Sequence, residues 1–144
     1  MYTDAVIFDM ASEETYVPGI IRWLIVGAIV GLVLVAAFWR PESVVTRSGP
    51  FGIADERTWV EGVAYGAVTL GLVYALAPTT RRTQISPLTI PVFVVPFASL
   101  VEIGQAVFGV TPFQTADLAA AAICSTIVAL VWDAGRRAFE QPPV

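Results

Sequence analysis

The segment SLVEIGQAVFGVTPFQTADL places a glutamate, a glutamine and an aspartate, Glu102, Gln105 and Asp117, inside an otherwise apolar stretch. A second apolar stretch, WVEGVAYGAVTLGLVYALA, carries Glu61 and Tyr65. Side chains three or four residues apart project from one side of a helix, so Glu61 with Tyr65, and Glu102 with Gln105, each form a polar pair on one face. The chemistry open to such a set is cation or headgroup binding, or general-base work by Glu61 or Glu102 on a bound substrate. No nucleophile–base pair accompanies the carboxyls, which favours binding over catalysis.

A carboxylate left unpaired in the middle of a bilayer costs roughly 3 kcal/mol on insertion scales, so such a group faces the bundle interior, a partner or water. Two remedies are open: protonation, or a positive partner in the form of a cationic ligand or an arginine such as Arg57. A structural reading stands beside the binding one. Protonated Glu102 with Gln105 and Tyr65 would then hydrogen-bond across helices at about 1 kcal/mol per bond. Asp117 also fits the first turn of a helix, where the macrodipole favours an acid without any function.

The elements that must position these residues are membrane helices. Of 144 residues 56% are hydrophobic and 14% charged, with mean hydropathy +0.74, well to the apolar side of a soluble domain. At about 20 residues per span the chain has room for one helical bundle and no separate soluble domain. Four runs qualify: Gly19 to Trp39, Trp59 to Ala77 ending at Pro78, the proline-rich run from Ser86 to Gly109, and a run from about Thr111 to Trp132. Pro18 suits the first turn of the first run. Ser86 and Pro87 suit an N-cap and first position, and Pro91 and Pro96 should kink the third helix. Thr111 and Gln114 have capping-box spacing for the fourth. The expected architecture is therefore an all-α integral membrane four-helix bundle over 18–137, with an acidic segment 1–17 before it and a tail 138–144 after it. Gly27 with Gly31, and Gly62 with Gly66, have the small-xxx-small spacing that lets membrane helices pack closely.

Arginine distribution orients the bundle. Arg22, Arg81, Arg82, Arg136 and Arg137 fall on one side, and Arg40, Arg47 and Arg57 on the other, which predicts cytoplasmic termini and puts Glu61, Glu102, Gln105 and Asp117 toward the outer leaflet. The acids Asp4, Asp9, Glu13 and Glu14 occupy the region where a secretory signal carries positive charge, so no cleaved signal is expected.

Several functions are excluded. With no histidine, the chain offers no imidazole metal ligand, imidazole base or histidine-ligated haem, and no metal or cofactor is expected. All 8 basic residues are arginine against 12 acids, a net charge of −4 that argues against nucleic acid and suggests a halophilic or GC-rich source. The single Cys124 forms no internal disulfide and suits helix packing. Four spans without an inverted repeat argue against a transporter. Membrane lipid is the expected partner, along with other membrane proteins or a second copy of the chain.

These residues resemble the VanZ-like family of small membrane proteins. ADERTWVEGVAYGAVTLGLVYAL looks like that family's first signature region, with Asp55 and Tyr65 in place and Glu61 where histidine is usual. VEIGQAVFGVTPFQTADLAAAAIC is similar to the second, with Glu102, Gln105 and Asp117 in place. Val110 stands where arginine is expected, Ala121 where asparagine is, and Cys124 near a usual glycine. The resemblance spans about the last two-thirds of the chain. It implies a four-helix bundle with a role at the cell envelope, including lowered lipoglycopeptide susceptibility in some members, with general-base work by Glu61 or Glu102 on a lipid-linked envelope substrate as the enzymatic alternative, and it adds Asp55 to the candidate polar pocket of Glu61, Tyr65, Glu102, Gln105 and Asp117.

Overall fold

The computed structural model describes residues 18–39, 55–83 and 86–140. The acidic segment 1–17, the loop with Arg40 and Arg47, and the last four residues lie outside them. Four helices follow one another: α1 (Gly19–Phe38), α2 (Glu56–Thr83), α3 (Pro91–Val107) and α4 (Thr115–Glu140). Among the described residues no strand occurs, and all four helices are long and apolar enough to cross a membrane once the short 3₁₀ turn Pro87–Thr89 is counted with α3. The chain is a multi-pass, all-α membrane protein.

Helix α2 is the centre of the bundle and packs most extensively on α4. Its glycines allow this. A Cβ on Gly62 would lie 2.9 Å from Cys124 Sγ and 3.3 Å from Ala120 Cβ, and one on Gly66 would lie 3.5 Å from Val128 Cγ2. The other small-residue pair behaves differently, because among the described residues nothing lies within 4 Å of a Cβ built on Gly27 or Gly31. Helix α1 meets α2 instead through Gly71, which faces Ile29 and Val26. Tyr65, Val68, Val73, Ile90, Val94, Ala98 and Ala121 form the buried core between α2, α3 and α4. Large apolar side chains such as Leu24, Leu32, Phe93, Leu100 and Val131 are exposed, as the hydrocarbon of a bilayer permits. Trp23 and Trp39 stand outward near the two ends of α1, at belt positions.

Three helices depart from the sequence expectation at their boundaries. Helix α2 starts before Trp59 because Asp55 caps it, its Oδ1 accepting the Thr58 backbone N–H at 2.8 Å. It continues through Pro78 to Thr83, since one missing backbone bond does not end a helix of this length. Pro91 does not interrupt α3 but opens it. Ser86 caps the preceding turn, its Oγ accepting from Leu88 N at 3.3 Å, and leaves Pro96 as the interior proline. The capping box of α4 does not form, because Thr111 turns toward α2 and the helix begins only at Thr115. α4 also runs past Trp132 to Glu140.

The turn from α3 to α4 matters for the site. Gly109 has φ +69°, the left-handed value that glycine adopts without strain. Val110 N donates to Gln105 O at 2.9 Å and Gly109 N to Ala106 O at 3.2 Å, the paired bonds of a Schellman ending. The chain thereby reverses one turn after Gln105 and brings Thr111 and Gln114 back over the polar residues of α3.

Candidate functional site

Arg57, in the first turn of α2, is the hub of the polar residues. Its Nε donates to Glu61 Oε1 at 3.0 Å, one turn along the same helix. Nη2 reaches Asp117 Oδ2 on α4 at 3.1 Å and Glu102 Oε1 on α3 at 3.6 Å. The same nitrogen donates to Thr111 Oγ1 at 3.1 Å and lies 3.5 Å from Gln105 Oε1. One planar fork thus ties three helices and the α3–α4 turn together, which a compact ammonium could not do.

The carboxylates are held from their other sides. Glu102 Oε1 accepts the Gln114 backbone N–H at 2.8 Å, so α3 satisfies a donor at the start of α4 that the capping box leaves open. Asp117 Oδ1 accepts from Thr58 Oγ1 at 2.7 Å, while Oδ2 faces Arg57 closely but without an aligned hydrogen bond. Gln105 Nε2 donates to Ala37 O at 2.9 Å, which fixes its amide and joins the end of α1 to the cluster. Glu102, Gln105 and Asp117 are each no more than 2% exposed. Burial of these groups is compensated by partners from neighbouring elements.

One carboxylate oxygen from each of Glu61, Glu102 and Asp117 lies within 4.8 Å of the others, a spacing that could hold a cation. The Arg57 guanidinium stands among those oxygens, so the chain supplies a positive group of its own there.

Five of the six residues singled out by sequence adjoin this end of the bundle, in unequal roles. Glu61, Glu102, Gln105 and Asp117 meet around Arg57. Asp55 serves as the cap of α2. Tyr65 lies one turn deeper, its ring edge-to-face with Phe97 at 6.3 Å between centroids, and it borders a cavity rather than the ionic cluster. The sequence offers Arg57 only as one remedy, assigns Thr111 to a helix cap and gives Thr58 no role. The spacing of Arg57 and Glu61, four residues apart at a helix start, was the available signal for the arginine. Thr111 carried no such signal, since its position depends on the turn at Gly109.

Beside the cluster, between α1 and α2, lies a cavity of about 300 Å³. It runs from Ile29 to Ala37 on α1 and from Val60 to Ala67 on α2, and is apolar apart from Glu61, Tyr65 and Gln105 at its wall.

No family model, curated protein or solved structure matches the chain.

The geometry therefore carries the functional argument. At the opposite end, Asp133 pairs with Arg136 at 3.1 Å and Arg137 at 2.6 Å along α4, and Arg22 lies over the Tyr74 ring at 5.0 Å while donating to Tyr74 O at 3.4 Å. These contacts join a helix end to itself and α1 to α2.

Proposed function

We propose that this chain is a small integral membrane protein of the cell envelope with a binding or accessory role, receiving its ligand where the Arg57 cluster adjoins the α1–α2 cavity. One observation carries the reading: Glu61 belongs to both, pairing with Arg57 and lining the cavity. Intramembrane ionisable groups are costly and mark functional sites by default. Stability alone is a weak reason for them, since replacing a buried ionic network by well-packed apolar side chains is often neutral or stabilising by about 1–4 kcal/mol.

The VanZ-like resemblance gains support from the same geometry. Glu61, Glu102, Gln105 and Asp117 stand at the positions the resemblance marks and surround one side chain. Val110 replaces the expected arginine, and Arg57 Nη2 reaches Thr111, the neighbour of Val110, so α2 delivers the positive charge to that turn. Arginine asymmetry places this end toward the outer leaflet, with both termini cytoplasmic. An enzyme reading has less behind it. Thr58 is paired with a carboxylate but is buried with its hydroxyl committed to Asp117.

The test is native mass spectrometry with lipid analysis of protein extracted in mild detergent, comparing wild type with Glu102→Gln. Wild type should carry an amphiphile that the variant loses at least tenfold while keeping its helical circular dichroism. Equal ligand content in the two proteins rules the site out.

A further inference from the structure

We infer that the α1–α2 cavity takes one hydrocarbon chain of a neutral, hydroxyl-bearing membrane lipid, its hydroxyl meeting Tyr65 and Glu61. The inference rests on the binding function proposed above and names the class of ligand.

Shape and lining come first. The cavity spans about nine residues of α1 and eight of α2, or about 12 Å at 1.5 Å per residue. At about 300 Å³ it is at the small end of ligand sites, which run from about 300 to 1,000 Å³. That suits part of one chain and not a two-chain lipid. Leu32 and Val63 line it and are themselves 70% and 65% exposed, so it adjoins the surface that hydrocarbon covers in a bilayer. The neighbouring solvent is then lipid tails.

The head is fixed by the polar wall. Tyr65 is 5% exposed and its backbone carbonyl accepts from Thr69 Oγ1, but no described residue is hydrogen-bonded to its hydroxyl. Tyr65 lines the cavity, so a ligand there can supply the partner that a largely buried tyrosine normally has. One of the two amide N–H groups of Gln105 is committed to Ala37 O. A ligand hydroxyl both donates and accepts, so it can accept from Tyr65 and donate to the Glu61 carboxylate, whose two oxygens offer about four lone-pair sites. An anionic phosphate would be brought against the Glu61 carboxylate in the cavity wall. An ammonium would lose its hydration in an apolar cavity, a far larger penalty than a hydroxyl bears.

The full-length protein in lipid nanodiscs, given a trace of a diazirine-bearing long-chain alcohol, tests this by photolabelling and peptide mapping. The alkyl phosphate and alkyl amine of the same chain length serve as comparisons. The alcohol should label 29–37 and 60–67 at least tenfold above the lipid-facing positions around Phe93 and Leu100. Ala64→Phe should cut that labelling at least tenfold, with Ala36→Phe filling the cavity from α1 if the first variant does not fold. Tyr65→Phe should lower alcohol labelling at least threefold. Labelling no stronger than around Phe93, labelling unaffected by the filling variants, or phosphate or amine labelling as strong as the alcohol's overturns the inference. If wild type still co-purifies a different ligand that Glu102→Gln releases, only this inference falls. If no ligand co-purifies and no labelling is seen, the binding function falls with it.

Discussion

Arg57 Nη2 lies 3.1 Å from Asp117 Oδ2, and this pair ties the first turn of α2 to the first turn of α4. The two helices start side by side, and each carries a charge that the other compensates. Because Arg57 also reaches α3 and the α3–α4 turn, losing it strands more than one partner.

Arg57→Met should therefore destabilise the bundle by about 3–5 kcal/mol, the usual result of removing one member of a buried pair. Arg57→Lys should recover little, since an ammonium cannot span Glu61, Glu102, Asp117 and Thr111 together. Unfolding in mixed detergent checks both. A lysine variant as stable as wild type would show that charge alone, without the planar fork, holds the cluster.

Glu102 separates charge from hydrogen bonding. Glu102→Gln keeps an oxygen for the Gln114 N–H and should change stability by less than about 1 kcal/mol, whereas Glu102→Ala leaves that donor unsatisfied and should lose about 1–3 kcal/mol. Equal losses in the two variants would mean that the negative charge, not the cap it gives α4, is what Glu102 contributes.

The helices were legible in the sequence because their apolar runs greatly exceed what a soluble core needs, and Glu61, Glu102, Gln105 and Asp117 were legible because a polar group in lipid must be compensated. What the sequence hid was the direction of compensation. Arg57 was grouped with outer-loop arginines, although a position four residues before Glu61 puts it on the same helix face. Thr111 read as a helix cap because spacing is local, while its actual partner depends on the reversal at Gly109. Gly27 and Gly31 had the same spacing as Gly62 and Gly66, yet only the second pair meets a neighbouring helix within the chain.

The orientation proposed from the arginine asymmetry can be checked apart from the site. A reporter fused after Val144 should read out in the cytoplasm, and Ser48→Cys should react with a membrane-impermeant maleimide on intact cells. Labelling only after permeabilisation would invert the bundle and place the Arg57 cluster at the inner leaflet.

The contact between Gly62 and Cys124 allows a cycle of substitutions. In Gly62→Ala the new methyl would lie 2.9 Å from Cys124 Sγ, closer than real contacts allow, and a tight 3.3 Å from Ala120 Cβ, so α2 and α4 must separate or the thiol must move. Overpacking of this kind costs about 1–3 kcal/mol. Cys124→Gly removes the obstructing sulfur and should lose stability on its own, through the void and through a glycine inside α4. Combined, the two changes should lose less than the sum of the single losses, because the methyl enters the space the thiol leaves. Gly27→Ala is the control: among the described residues nothing lies within 4 Å of its added carbon, and an alanine there should be neutral or mildly stabilising. Detergent unfolding of the four variants settles the point. Strict additivity of Gly62→Ala and Cys124→Gly would mean that the methyl is accommodated by Ala120 or by backbone shifts, and that the close approach of α2 and α4 does not depend on the sulfur.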